Sequence, residues 1–129
     1  MDLVSLTTAM LLSRSAGQGR ACNASVGPAA KPLKIFENIR EWAQTRGLYD
    51  EGNSHTQYVK LQEEAGELAK ALLENDKAEV IDAIGDMVVV LTNLAHLQGV
   101  HIETCIAEAY KVISKRKGKM INGTFVKDE

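Results

Sequence analysis

From residue 33 onward, apolar side chains recur at intervals of three and four, the period of one helical face. Ile35, Ile39, Trp42 and Ala43 form the first stripe, and Gly47 closes it. Residues 49–55 contain Asp50, Gly52, Asn53 and Ser54 and read as a loop, with Ser54 or Thr56 placed to cap the next helix. A second helix is expected from about Gln57 to Leu73, with Leu61, Ala65, Leu68, Ala69 and Leu72 on its apolar side. Asn75 and Asp76 make the turn into a third, from about Lys77 to Leu97. Its middle, Met87 to Leu91, is apolar on every side. Three consecutive valines would suit a buried strand. The apolar pattern runs well beyond strand length, however, and its flanking polar residues repeat at helical intervals. Gly99 ends this segment, and a fourth helix is expected from about Ile102 to Lys115, with a basic tail over residues 115–119. The fold predicted is all-α with four helices. A helix greasy all round must be central or pack in an oligomer. The core is therefore expected to be completed by further copies, as a homodimer or homotetramer.

Composition divides the chain. Residues 1–34 hold both prolines, one acid (Asp2) and four bases, with many serines and glycines. They read as an N-terminal extension and linker, expected to be poorly ordered, with a short apolar helix at Leu3 to Leu12. Residues 35–129 read as the domain. Taking the extension's share from the chain's 17 acids and 15 bases leaves 16 and 11. This acidic balance excludes a general nucleic-acid coat, which works by neutralising phosphates. The longest uncharged stretch in the domain, residues 87–100, includes Thr92, Asn93, His96 and Gln98, too short and polar for a bilayer span. Cys22 and Cys105 cannot build a disulfide framework and read as idle thiols in a reducing, cytoplasmic setting.

The chemistry-bearing feature is the placement of carboxylates. Glu63, Glu64 and Glu67 share a sector of about 100° on the second helix. Glu79, Asp82 and Asp86 share a narrower sector of about 60° on the third, and Asn93 continues that line. Like charges at i,i+4 repel, and more so when partly buried. Two such sectors across a helix pair call for a hard cation with oxygen ligands, and magnesium is the usual choice where phosphate also coordinates. The simpler reading of either sector alone is a solvated helix face. A di-iron bundle would need Glu-x-x-His pairs, and the residues three before His55, His96 and His101 are Gly52, Asn93 and Gln98. No Gly-x-Ser-x-Gly, Walker-type loop or CxxC is present.

These residues resemble the MazG-like all-α nucleoside triphosphate pyrophosphohydrolases. The likeness runs through Glu41-Trp42-Ala43, the segment Gln57–Ala69 with its EExxE motif, Ile81–Met87, Asn93-Leu94-Ala95, Arg116–Met120 and Asn122–Phe125. The family pattern continues with ExxD on the next helix. With Asp86 as its aspartate, the glutamate position holds Ala83, and Asp82, one turn earlier, stands in reach as a substitute. The resemblance implies magnesium, with manganese as the alternative, on Glu63, Glu64, Glu67, Asp82 and Asp86. It implies hydrolysis of a nucleoside triphosphate, a deoxynucleotide above all, to monophosphate and pyrophosphate, in nucleotide-pool cleaning or dNTP regulation. Glu64, with Glu63, is expected to act on the attacking water. Lys60, Asn93, Gln57, Trp42, Arg116, Lys117 and Lys119 are candidates for substrate contact. Each has a plainer role: a helix-surface ion pair for Lys60, core packing for Trp42 and Asn93, a solvated helix end for the basic residues. The rival reading is a non-catalytic helical module for oligomerisation or partner binding, which keeps the fold and has lost part of the site at Ala83.

Overall fold

The computed structural model describes residues 32–129. Among the described residues, five helices and one hairpin run in order: α1 (Pro32–Thr45), α2 (Leu48–Glu51), α3 (Ser54–Leu73), α4 (Lys77–Leu97), α5 (Ile102–Ile113), β1 (Gly118–Ile121) and β2 (Thr124–Lys127). The expected all-α architecture is present. The expected helix at Leu3 to Leu12 and the linker up to Lys31 lie outside the described residues, as does Cys22.

Local chemistry explains the boundaries. Pro32 begins α1, where its missing N–H costs nothing. After α1 the chain reverses at Gly47, whose φ of 75° suits a residue without a Cβ. The segment expected as a loop contains the one-turn helix α2. Gly52 then turns the chain where an added Cβ would lie 2.3 Å from the Leu48 carbonyl oxygen. The cap of α3 is Asn53, one residue before the first of the two expected candidates. Its side chain accepts from the Thr56 N–H at 3.0 Å while the Thr56 hydroxyl accepts from the Asn53 N–H, a reciprocal capping box. Asp76 caps α4 by accepting from the Ala78 and Glu79 N–H groups. The residues expected as a continuing helix and tail instead form α5, ending at Ile113, and an antiparallel hairpin turning at Asn122-Gly123.

Helix α4 is the axis of the domain. It lies along most of α3 and also touches α1, α2 and α5. Apart from Leu48, the buried apolar residues are small: Ala43, Ala71, Ala83, Val90 and Ala95. Small side chains bring helix axes close. They also leave larger ones outside: Ile81, Ile84, Val88 and Leu91 are all exposed on the side of α4 away from α3. By length and composition alone α4 could cross a bilayer. Its packing against four other helices and the two aspartates within it, Asp82 and Asp86, fit a core helix better.

A long-range ion pair ties the ends of the helical body together. Arg40 on α1 donates through both guanidinium nitrogens to the Glu103 carboxylate on α5, at 2.9 and 2.8 Å. This fork holds the Glu103 carboxyl well below the usual carboxylate range, at about 2, and the guanidinium above its ordinary value. Replacement of Glu103 by glutamine is expected to lower unfolding free energy by about 1 kcal/mol at pH 7. Because the folded pKa is depressed, the contribution is complete above pH 4.5 and fades as pH falls toward 2. Urea unfolding of both chains at pH 7 and pH 2.5 measures this, and the gap between them shrinks at the lower pH.

Candidate active site on helices α3 and α4

The buried face of α3 is polar. Gln57, Lys60 and Glu64 are all buried there, one helical turn apart, with Ala71 further along. Glu64 is 1% exposed. Lys60 Nζ lies 2.9 Å from Glu64 Oε1 and 3.0 Å from Glu63 Oε2. Burial works against the Lys60 charge, but the bonds to Glu64 and Glu63 outweigh it, and its pKa rises above the ordinary value. Lys60 is therefore a fixed cation, no loose surface lysine. It satisfies one oxygen of Glu64. The other, Oε2, is buried and has no hydrogen-bond partner. A buried carboxylate oxygen without a partner is costly, and such groups persist at functional sites.

The remaining carboxylates are spread around this centre. Glu67 and Asp86 are half-buried, while Glu63, Glu79 and Asp82 are exposed. Glu67, Asp82 and Asp86 each make further interactions in the structure. Glu67 and Glu79, one from each acidic sector, line one cleft of about 270 Å³ together with Lys70, Ala71 and Glu74. Among the described residues no three His, Cys, Asp or Glu side chains stand close enough together to hold a metal ion. The donor chemistry, hard carboxylate oxygens with one left open at Glu64, fits magnesium. Ala83 is buried, facing inward where the family pattern has a glutamate, and Asp82 sits on a different, exposed side of α4.

The far end of the same α4 face carries a second polar group. Asn93 is 2% exposed, and its Oδ1 accepts from the Tyr49 hydroxyl at 2.8 Å. The Tyr49 ring stacks on His96, with centroids 3.8 Å apart and 27° between planes. Burial pushes the Tyr49 phenol up. Tyr49 and His96 border an open groove of about 730 Å³ with Arg40, Gln44, His101 and Glu103. Sequence reasoning misses Tyr49 and His96. His96 comes one helical turn after Asn93, which is a usable signal, but Tyr49 sits in a segment with no readable period. Of the other candidates, Gln57 is buried on α3. Trp42 is half-buried, with the Arg46 guanidinium 4.5 Å over its ring. Arg116, Lys117 and Lys119 are exposed at and just before the hairpin. Cys105 is a free, exposed thiol.

Removing the Tyr49 hydroxyl leaves the Asn93 oxygen buried and without its donor. Tyr49→Phe is expected to cost about 1–3 kcal/mol of stability, read from denaturant unfolding. Lys60→Met strands the Glu64 charge and is expected to cost more, about 3–5 kcal/mol, most of it recovered when Glu64→Gln is added.

A 62-residue segment is 37% identical to an uncharacterised 18.2 kDa protein from the rep–hol intergenic region of Haemophilus phage HP1, covering 48% of this chain and 38% of that relative. The chain thus spans well under half the length of the curated relative it matches. No solved structure matches. The family description of phosphoribosyl-ATP pyrophosphohydrolase matches residues 34–112, from the start of α1 nearly to the end of α5 and across every carboxylate described above. The chain belongs to the phosphoribosyl-ATP pyrophosphohydrolase family, within the MazG-like all-α NTP pyrophosphohydrolase superfamily.

Proposed function

We propose that this protein hydrolyses a nucleoside triphosphate, a deoxynucleotide above all, to the monophosphate and pyrophosphate. We place this activity in the cytoplasm, in pool cleaning or dNTP regulation. The observation that carries the reading is Glu64: a carboxylate buried on α3 against α4, held through one oxygen by Lys60 and left open at the other. Water attacks the α-phosphorus, the bond from that phosphorus to the bridging oxygen breaks, and pyrophosphate leaves with the bond electrons. Glu64 Oε2, supported by Glu63, takes the water's proton. Lys60 holds and orients Glu64 through Oε1, which makes it a positioning residue. Glu63, Glu67, Asp82 and Asp86 would hold magnesium or manganese, which supplies charge neutralisation at the phosphates and leaves Glu64 Oε2 for the proton. Asn93 with Tyr49, Gln57 and Trp42 are the candidates for contact with the sugar and base. The apolar stripe left open on α4 supports a homodimer or homotetramer as the working form.

A second reading rests on Ala83, buried at the position of the family's second-helix glutamate. On that reading the chain is a non-catalytic helical module.

Pyrophosphate release separates the two. Purified protein with magnesium, given a panel of NTPs, dNTPs and phosphoribosyl-ATP, is expected to turn over at least one. Chelation by EDTA should stop the reaction and added magnesium restore it. Glu64→Gln is expected to lower kcat by about 100-fold or more with helicity unchanged. No release from any nucleotide would leave the module reading standing.

A further inference from the structure

Lys60 touches two carboxylates, not one. Its ammonium lies 3.0 Å from Glu63 Oε2 and 2.9 Å from Glu64 Oε1, with only 9% of its side chain exposed. Helix chemistry alone does not put it there. A lysine ordinarily lays its stem along the surface and keeps its charge in water. A lysine four residues before a glutamate is also the less favourable order on a solvated helix. The same helix supplies a comparison. Lys70 and Glu74 have the same spacing, yet they stand 4.0 Å apart with both side chains mostly exposed. The surroundings differ at Lys60: two adjacent glutamates, one of them closed in at 1% exposure, share its charge.

The bridge changes what the acidic face can hold. Glu63, Glu64 and Lys60 together carry one net negative charge where the glutamates alone would carry two. Glu63 is one of the metal-holding carboxylates of the proposed hydrolase. A dication on Glu63 has to share that carboxylate with an ammonium 3.0 Å away, and like charges so close repel strongly where water is scarce. Glu64 does not make up the loss, because its Oε1 faces the same ammonium. Glu67, Asp82 and Asp86 each have interactions of their own, and among the described residues no three acidic, His or Cys side chains stand together as a metal cage. We propose, resting on the hydrolase reading, that Lys60 is a tethered counter-ion that competes with divalent metal for Glu63, so that the protein without nucleotide holds such a cation weakly. Its ammonium stabilises the paired glutamates until a metal ion displaces it from Glu63, while its bond to Glu64 persists.

Manganese(II) alone, followed by the paramagnetic resonance signal of the unbound ion, tests this on the full-length chain. No nucleotide is present, so failure here is separate from failure of the hydrolase reading, which shows in pyrophosphate release. Lys60→Met removes the charge and keeps most of the stem, and is expected to tighten manganese binding by about tenfold or more. Lys70→Met removes a cation from the cleft of Glu67 and Glu79 but no buried bridge, and is expected to stay within about threefold of the parent. Unchanged affinity in Lys60→Met would overturn the proposal. So would equal tightening in Lys70→Met, since net charge rather than the bridge would then set the affinity. Lys60→Met also weakens the fold, so thermal unfolding is followed in parallel by far-ultraviolet dichroism. Manganese is expected to raise the Tm of Lys60→Met by more than it raises that of the parent, and to restore helicity if the variant lacks it without metal. An equal rise in both chains, or lost helicity that manganese does not restore, would overturn the proposal as well.

Discussion

The ion pair between Lys60 and Glu64 is the constraint around which the domain is arranged. It puts two opposite charges into the seam between α3 and α4, where most proteins place leucine. Such a pair gains little over an apolar pair of the same size, because desolvation consumes most of its Coulombic energy. It does impose a condition. Each partner is tolerable only while the other is present, and the helices must stay close enough to keep water from both. The small buried side chains Ala71 on α3 and Ala83 on α4 help to meet that condition by letting the two helices approach. The seam is thus organised for a charged interior rather than for maximal apolar burial. The unpartnered Glu64 oxygen is the mark of that organisation.

The same α4 face carries a second, weaker constraint at its other end. Tyr49 reaches from the one-turn helix α2 to Asn93 and rests on His96, so a segment with little core of its own is pinned by one hydrogen bond and one ring contact. The Arg40–Glu103 fork pins α1 to α5 in a similar manner. In both cases directional polar contacts, not buried area, place an element beside the site. This suits a domain with so few large buried side chains.

Much of this is legible in the sequence. Helical period locates α1, α3, α4 and α5, and the carboxylate sectors on α3 and α4 come from residue spacing alone. What period cannot show is which acid is buried. Glu63, Glu64 and Glu67 look equivalent on a helical wheel, and only the packing of α4 singles out Glu64. The hairpin escapes because Lys115 to Lys119 reads as a helix end. The turn signal Asn122-Gly123 is present, but it enters the reading only as part of the family likeness. Tyr49 and the Asn53 cap sit where short-range turn chemistry outweighs any period.

Trp42 is the single tryptophan of the chain, and the guanidinium of Arg46, just past the end of its helix, lies over its ring. Its emission is therefore a local optical probe of α1, blind to the hairpin and to the carboxylate seam. Loss of fluorescence contrast on heating would time the departure of α1 from α4 alone, and comparison with far-ultraviolet dichroism would show whether the helices part together or in sequence.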